Sequence, residues 1–349
     1  MKGFGLVFSG GGGKGAYEIG VWKYLHETGL DNFVRAVSGT SVGALNAALY
    51  VGSSYEQAED MWLHIDTSKI LPLRKHSISD FIKWLGKKRI KMMAKVVIGG
   101  GAAFWTVETI AEKLLLKTKG DYFFSRDGLS NMITESLDFD MLHNSDIPCF
   151  VTCVRYPLVL DPLFRIERFK LNDYLPNEVE IILLASSAIP LVYPNEIFNG
   201  NKYCDGGIPV FGDNVPVKPV YDTGVENIIV VHLDREAVID KSQFPDSNII
   251  EVVPSKDLGK FLNGTLDFSP EGSKKRIDLG YEDAKKVIYP MLEMVQAMGS
   301  IQKSQNEMKS SMARFKEQKA ASDEKYRRIR AELSADGFDD IYNELIEEE

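Results

Sequence analysis

Apolar runs and helical patterns alternate through the first fifty residues of the chain. An apolar run at 3–8 precedes a glycine-rich stretch, and a helical pattern begins near Ala16. A second run at 33–37 leads into a serine between glycines and then into an apolar helical pattern at 44–49. Because strands that alternate with helices form parallel sheets covered by helices, this order predicts an α/β fold.

Four further apolar runs predict strands at 149–155, 164–169, 228–233 and 249–253. The runs near 228 and 249 are short and β-branched, which is typical of strands buried on both faces. We expect one α/β domain over residues 1–285.

The segment 70–106 has a different character. It is basic and has no acidic residue between Asp80 and Glu108, although the protein as a whole is acidic. Apolar residues, Trp84 among them, are interleaved with the lysines, and a glycine triplet lies at 99–101. This pattern predicts a basic amphipathic, lid-like insertion that faces an anionic membrane. A pair of ordinary surface helices with solvated lysines remains an open alternative.

The segment 286–349 predicts a helical extension with an acidic tail. Its apolar positions follow spacings of three and four, and they are Met291, Met294, Met298, Ile301, Met308, Met312, Phe315, Tyr326, Ile329 and Leu333. Such a narrow seam on a long helix suits helix-on-helix packing. Packing onto its own domain and homo-oligomerisation are both open.

Composition narrows the class of protein. A net charge of −9 over 349 residues argues against nucleic-acid binding. Cys149, Cys153 and Cys204 form no paired framework, so we expect buried, reduced thiols. There is no leader pattern at the amino terminus and no apolar window of the ~20 residues that a bilayer span needs. We expect a cytoplasmic protein with peripheral membrane association.

Gly39 and Gly43 frame Ser41 between a predicted strand and a predicted helix. Flanking glycines allow the cramped turn that exposes a serine Oγ at the end of a sheet. The helix after the turn directs its free N–H groups and its positive dipole end toward developing negative charge. Ser41 is therefore the candidate nucleophile.

A glycine loop lies between the first strand and the first helix. Its successive amides can form a nest for an oxyanion or a phosphate, and it comprises Gly10, Gly11, Gly12, Gly13, Lys14 and Gly15. A Walker loop is excluded because Gly15 stands where Ser or Thr should follow the lysine. A dinucleotide site is disfavoured because Asp31, the acidic residue at the required distance, lies in a turn.

The general base has two candidates. His232 closes the predicted strand near 228 and would complete a Ser–Asp–His order. Asp205 is followed by Gly206 and Gly207, which let the backbone bend so that the carboxylate faces inward. The residues alone leave both candidates open.

Taken together, the glycine loop with Lys14, the Ser41 turn, the segment 185–190 and the Asp205 turn resemble the patatin-like phospholipase family over residues 1 to about 235. The resemblance implies a three-layer sandwich, with a mostly parallel sheet flanked by helices. It implies Ser41 as nucleophile and Asp205 as base, with an oxyanion hole at Gly11, Gly12 and Gly13 and no metal or other cofactor. An aspartate at its usual pKa of ~3.9 is a poor base, and a dry pocket would make it a better one.

The expected function is a phospholipase A-type acyl hydrolase that cleaves fatty acyl esters of glycerophospholipids at a membrane surface through an acyl-Ser41 intermediate. One alternative is a Ser41–Asp205–His232 esterase acting on soluble esters. Another is a lipid-binding or partner-regulated effector that oligomerises through its helical tail.

Overall fold

The computed structural model describes residues 3–72, 124–156, 165–190, 192–209 and 211–335. The chain divides into two compact units, Met1–Val287 and Ile288–Glu349. The predicted lid-like insertion lies outside the described residues from position 73 onward, and the acidic tail lies outside them from position 336.

The first unit is built on one mixed sheet with the strand order β5-β6-β3-β2-β1-β7-β8, and β4 pairs separately with β3. Four of the strand pairs are parallel and three are antiparallel. The strands are β1 (Phe4–Phe8), β2 (Val34–Thr40), β3 (Cys149–Tyr156), β4 (Ile166–Lys170), β5 (Glu196–Phe198), β6 (Asn201–Asp205), β7 (Asn227–Val231) and β8 (Asn248–Val252).

The described part of the chain has nine α-helices, and the last of them continues from the first unit into the second. They are α1 (Ala16–Glu27), α2 (Val42–Gly52), α3 (Tyr55–His64), α4 (Thr67–Ile70), α5 (Asp127–Ser136), α6 (Phe139–His143), α7 (Pro176–Ser186), α8 (Val217–Tyr221) and α9 (Pro270–Ala335). A 3-10 helix, Gly12–Gly15, precedes α1, and a π-helix, Phe261–Thr265, precedes α9. Among the described residues, no helix is long and apolar enough to cross a membrane.

The core of the sheet is its parallel part. All five residues of β1 are buried, because β2 and β7 cover its two edges and helices cover its faces. β2 and β7 are buried over nearly their whole length. Such double coverage explains the continuous apolar runs in the sequence. The predicted α/β class, a mostly parallel sheet flanked by helices with a helical extension at the carboxyl end, is confirmed.

Two strands and one helix boundary differ from the sequence-based expectation. β5 and β6 were not predicted, because β5 has only three residues and β6 has neither an alternating nor a continuous apolar pattern. The helix that contains the predicted extension begins earlier than residue 286, at Pro270. The buried face of its first turns includes Ser273 and Arg276, so no apolar seam marks its start.

Candidate active site

Ser41 lies at the junction of β2 and α2 in a strained backbone conformation. Its φ of 57° is one that L-residues rarely adopt. Gly39 and Gly43 are required by close packing: a Cβ on Gly39 would lie 2.0 Å from the Gly43 carbonyl oxygen, and one on Gly43 would lie 2.5 Å from the Phe8 carbonyl oxygen. The two glycines let β1, β2 and α2 converge, and this convergence directs the Ser41 side chain outward from the strand end.

The Ser41 hydroxyl donates a hydrogen bond to Asp205. The distance from Oγ to the carboxylate Oδ2 is 2.7 Å, and both residues are 5% exposed. The second carboxylate oxygen, Oδ1, accepts from the Gly207 amide at 2.7 Å. A hydroxyl and a carboxylate in this contact can exchange a proton directly.

The pairing along β3 explains why these two side chains meet. One edge of β3 is occupied by β4, and the other edge is shared by β2 and then β6. β2 runs parallel to β3 and ends at Thr40, opposite Thr152. β6 runs antiparallel and ends at Asp205, opposite Cys153. The two strands therefore end toward each other on the same edge, and Ser41 follows Thr40 directly into this gap.

The site makes Asp205 a stronger base than an exposed aspartate. Burial raises the pKa of its carboxyl to about 6. The hydrogen bonds from Ser41 and the Gly207 amide and the charge of Arg126 oppose this shift. The carboxylate is therefore ionised at neutral pH, yet it binds a proton about two pKa units more strongly than usual.

The glycine loop lies beside this pair. A Cβ on Gly10 would be 3.3 Å from the Ser41 Cβ. Gly12 has a φ of 60°, and a Cβ there would lie 2.2 Å from the carbonyl oxygen of Thr265 in the π-helix. Within the described ranges, the amides of Gly11, Gly12 and Gly13 donate no turn or loop hydrogen bond to another backbone group. Adjacent amides of this kind can receive negative charge, and Gly10, at the start of the same loop, lies against Ser41.

The patatin-like phospholipase family matches residues 6–221 of this chain. That match includes the glycine loop, Ser41 and Asp205. The chain belongs to the patatin-like phospholipase family. The family predicted from the motifs is therefore confirmed.

Individual relatives are more distant. A stretch of 46 residues is 48% identical to lysophospholipase nte1 of Aspergillus terreus, and it makes up 13% of this chain and 3% of that protein. VipD from Legionella pneumophila aligns with a TM-score of 0.45 and 16% identity over 83% of this chain and 67% of VipD. Human GIVD cytosolic phospholipase A2 aligns with a TM-score of 0.37 and 11% identity, over 84% of this chain and 58% of that enzyme.

In this patatin-like chain, Lys14 is half-buried at the end of the glycine loop. Burial lowers the pKa of its ammonium group, and the carboxylates of Asp234 and Asp257 act in the opposite direction. Arg276 of α9 donates to the Gly13 carbonyl oxygen at 3.3 Å and forms an ion pair with Asp267 at 2.7 Å. The loop is thus fixed from the side of α9, while Gly15 packs against α2.

His232, the alternative base, makes a different contact. Its Nε2 lies 3.0 Å from Glu251 Oε2, and burial lowers its pKa. Its Nδ1 has no hydrogen-bond partner in the described part of the chain. No described hydrogen bond joins the His232 ring to Ser41 or to Asp205.

Asn214 and Ser186 are site residues for which the sequence predicted no individual role. The Asn214 carbonyl oxygen accepts from the Gly10 amide at 3.0 Å, and its side-chain amide donates to the Gly10 carbonyl oxygen at 3.2 Å. Asn214 also packs against Gly207, so it links the glycine loop to the Asp205 turn. Asn214 lies in a Gly-Asp-Asn-Val-Pro run, and this sequence predicts only a loop.

Ser186 contacts the Ser41 amide. The motif at 185–190 was noted in the sequence, but its contacts depend on the tertiary fold.

As for metal ions, the described residues include no group of three or more His, Cys, Asp or Glu side chains able to hold one.

Proposed function

We propose that this protein is a lipid acyl hydrolase of the phospholipase A type, with Ser41 as nucleophile and Asp205 as general base. The observation that carries this proposal is the 2.7 Å hydrogen bond from Ser41 Oγ to a carboxylate whose pKa is raised to about 6 by burial. The family match supports the substrate class, a fatty acyl ester of a glycerophospholipid. The substrate is presented at a membrane surface.

In the acylation step, Ser41 Oγ attacks the ester carbonyl carbon and its proton passes to Asp205 Oδ2. The carbonyl oxygen becomes an oxyanion, which the amides of Gly11, Gly12 and Gly13 stabilise; one such donor commonly contributes about 3 kcal/mol. Collapse of the tetrahedral intermediate breaks the ester bond. The leaving alkoxide, a lysophospholipid, takes the proton back from Asp205 and departs as an alcohol.

Deacylation repeats the chemistry with water. Asp205 removes a proton from a water molecule, and the resulting hydroxide attacks the acyl carbon. The second tetrahedral intermediate releases Ser41, which regains its proton from Asp205, and the fatty acid leaves. The same carboxylate therefore serves as base and then as acid in both steps. In this mechanism Ser41 and Asp205 are the residues that move a proton, and the glycine loop only donates hydrogen bonds to the oxyanion.

The contacts of His232 argue against the soluble-ester alternative with a Ser41–Asp205–His232 triad. A triad histidine must accept the serine proton and donate to the aspartate. In this chain, Ser41 bonds directly to Asp205, and His232 bonds to Glu251. The Ser41–Asp205 dyad is complete without a histidine.

Ser41→Ala and Asp205→Asn test the proposal together. We expect each to abolish release of fatty acid from mixed phosphatidylcholine and phosphatidylglycerol vesicles, measured by mass spectrometry, while circular dichroism stays unchanged. Asp222→Asn, an exposed carboxyl change, is the matched control and should retain activity. A fluorophosphonate probe should label the native protein and not Ser41→Ala. An unlabelled native protein would instead favour a lipid-binding role without catalysis.

We also propose that the helix of the second unit pairs with a second copy of itself. From Met294 to Leu333 its seam positions are spaced three and four residues apart, the period of a coiled coil, and the described apolar ones are exposed. The seam is interrupted by Gln305, Lys319 and Ser322. In an antiparallel pair that places Met312 opposite Phe315, Gln305 lies opposite Ser322, and Lys319 lies opposite Met308.

The oligomeric state tests this pairing. Met312→Glu combined with Phe315→Glu should convert a dimer to a monomer in sedimentation equilibrium, because charges would be buried in the seam. Ala313→Glu combined with Ala320→Glu places the same charges off the seam, and the dimer should persist. A native protein that is monomeric at micromolar concentration would disprove the pairing.

A further inference from the structure

Ser186 is the last residue of α7 and is fully buried. Its hydroxyl oxygen accepts a hydrogen bond from the Ser41 amide at 2.9 Å and donates one to the Thr152 carbonyl oxygen at 2.7 Å. Its own carbonyl oxygen accepts from the Gly206 amide at 3.2 Å. One residue therefore contacts the backbone of Ser41 and that of the residue after Asp205.

The direction of these hydrogen bonds is fixed. Because the Ser186 hydroxyl gives its only proton to Thr152, its lone pairs are left to accept from the Ser41 amide. Thr152 is the β3 residue opposite the end of β2, so Ser186 is anchored at the gap where β2 and β6 end. The turn that follows Ser186 makes a further hydrogen bond to the same region, because the Asp205 amide donates to the Ala188 carbonyl oxygen at 3.1 Å.

The Ser41 backbone needs a hydrogen bond that holds it in its strained conformation. A non-glycine residue at φ 57° is strained by about 1–3 kcal/mol and persists only where its surroundings hold it. The Ser186 hydroxyl satisfies the buried amide of that residue. An amide left without an acceptor would favour a relaxed turn, in which the Ser41 side chain would point elsewhere.

We propose that Ser186 is the positioning residue of the dyad: its hydroxyl holds the strained turn of Ser41 and its carbonyl oxygen holds the turn of Asp205, which fixes the contact between the two side chains. This inference rests on the proposed dyad. It adds that Ser186 acts on the reaction through hydrogen bonds to the backbone of other residues and touches no substrate.

A pH signature separates positioning from a merely structural role. The hydrogen bond from Ser41 lowers the pKa of Asp205 and so opposes the effect of burial. If loss of the Ser186 hydroxyl lengthens that bond, the pKa of Asp205 rises. The acidic limb of the activity profile then moves to higher pH, which a simple loss of folded protein would not cause.

The experiment compares Ser186→Ala with Ser187→Ala. Ser187 is the matched control because its hydroxyl donates only to the Leu183 carbonyl oxygen of its own helix. For Ser186→Ala we expect kcat to fall by about 100-fold with KM nearly unchanged, since a misplaced nucleophile can cost that much. The acidic midpoint should rise, and Ser187→Ala should match the native enzyme in both respects.

Ser186→Cys keeps the shape of the side chain with a slightly larger atom that is a weaker acceptor, so its kcat should lie between those of the native enzyme and Ser186→Ala. It also serves if Ser186→Ala fails to fold. An unchanged kcat and midpoint in a folded Ser186 variant would overturn the inference. Activity that survives in Ser41→Ala would instead overturn the proposed dyad, so the two failures are distinguishable.

Discussion

Asp205 ends β6 one position along β3 from the place where Thr40 ends β2, and both strands occupy the same edge of β3. Ser41 and Asp205 are 164 positions apart in sequence, yet this junction brings their side chains into hydrogen-bond contact. Because the two strands approach from opposite directions, neither can extend without displacing the other. The junction thus places a nucleophile and a base in a gap that the sheet itself creates.

The activity should depend on pH through Asp205. Only the ionised carboxylate accepts the Ser41 proton, and burial raises the pKa of this group to about 6. We expect kcat to increase about tenfold per pH unit below the midpoint and to level off above it, with the midpoint near pH 6. The measurement is kcat against pH with an uncharged ester substrate. A rate that stays level down to pH 4.5 would contradict this prediction.

Asp205→Asn should stabilise the folded protein at neutral pH. The folded state binds the Asp205 proton more tightly than the unfolded chain does, so ionising the carboxyl between pH 4 and pH 6 lowers the free energy of unfolding. Because the two pKa values differ by about two units, the free energy of unfolding of the variant should exceed that of the native protein by up to about 3 kcal/mol at pH 7.5 and by little at pH 4. Urea unfolding of both proteins at pH 7.5 and at pH 4 measures this difference in the free energy of unfolding. Equal stability of variant and native protein at pH 7.5 would count against a buried, ionised carboxyl.

Gly12→Ala should impair catalysis more than stability alone explains. The change places a methyl group 2.2 Å from the Thr265 carbonyl oxygen, so the loop that carries the amides must move. We expect kcat to fall about 100- to 1,000-fold, the range expected when one oxyanion donor is lost. Gly29→Ala is the matched control: its φ is 69°, and a Cβ there has no atom within 4 Å.

Gly29→Ala should lose about 1–2 kcal/mol of unfolding free energy from the left-handed conformation and keep its kcat. The comparison therefore separates backbone strain, which both variants share, from displacement of the glycine loop. Similar kcat values for the two variants would mean that the loop does not act in the reaction.

His232→Gln should retain most of the catalytic activity. The ring interacts with Glu251, and its complete burial means that the substitution leaves a poorly filled space. We expect a lower Tm, and a kcat per folded molecule within about threefold of the native value. Steady-state kinetics measures kcat, and thermal unfolding measures Tm. A hundredfold loss of kcat at native stability would assign the base to histidine.

Particular residues in the sequence predicted the local backbone structure. Gly39 and Gly43 predicted the turn at Ser41 because only glycine tolerates the backbone contacts that they make. Gly12 predicted a loop with unusual backbone geometry, and its φ is positive. The β-branched runs predicted β7 and β8. β7 has the continuous burial that such a run indicates, whereas β8 is an edge strand in which only Ile249 and Val252 are buried.

Other features left little trace in the sequence. β6 has only five residues and no alternating or continuous apolar pattern, so its place beside β3 was not evident. The start of α9 was hidden because its first turns bury Arg276, which bonds to the glycine loop and to Asp267. A side chain whose partner lies far along the chain has no local signature.

The sequence by itself determined the alternation of strands and helices, the turn at Ser41 and the glycine loop, because each depends on backbone preferences within a few residues. The residues alone left both Asp205 and His232 open as the base, and the resemblance to the family favoured Asp205. Tertiary structure gave Ser41 a hydrogen bond to Asp205 and His232 one to Glu251. That distinction depends on which strands share an edge of β3 and on how deeply a carboxylate is buried, and both are properties of the packed sheet.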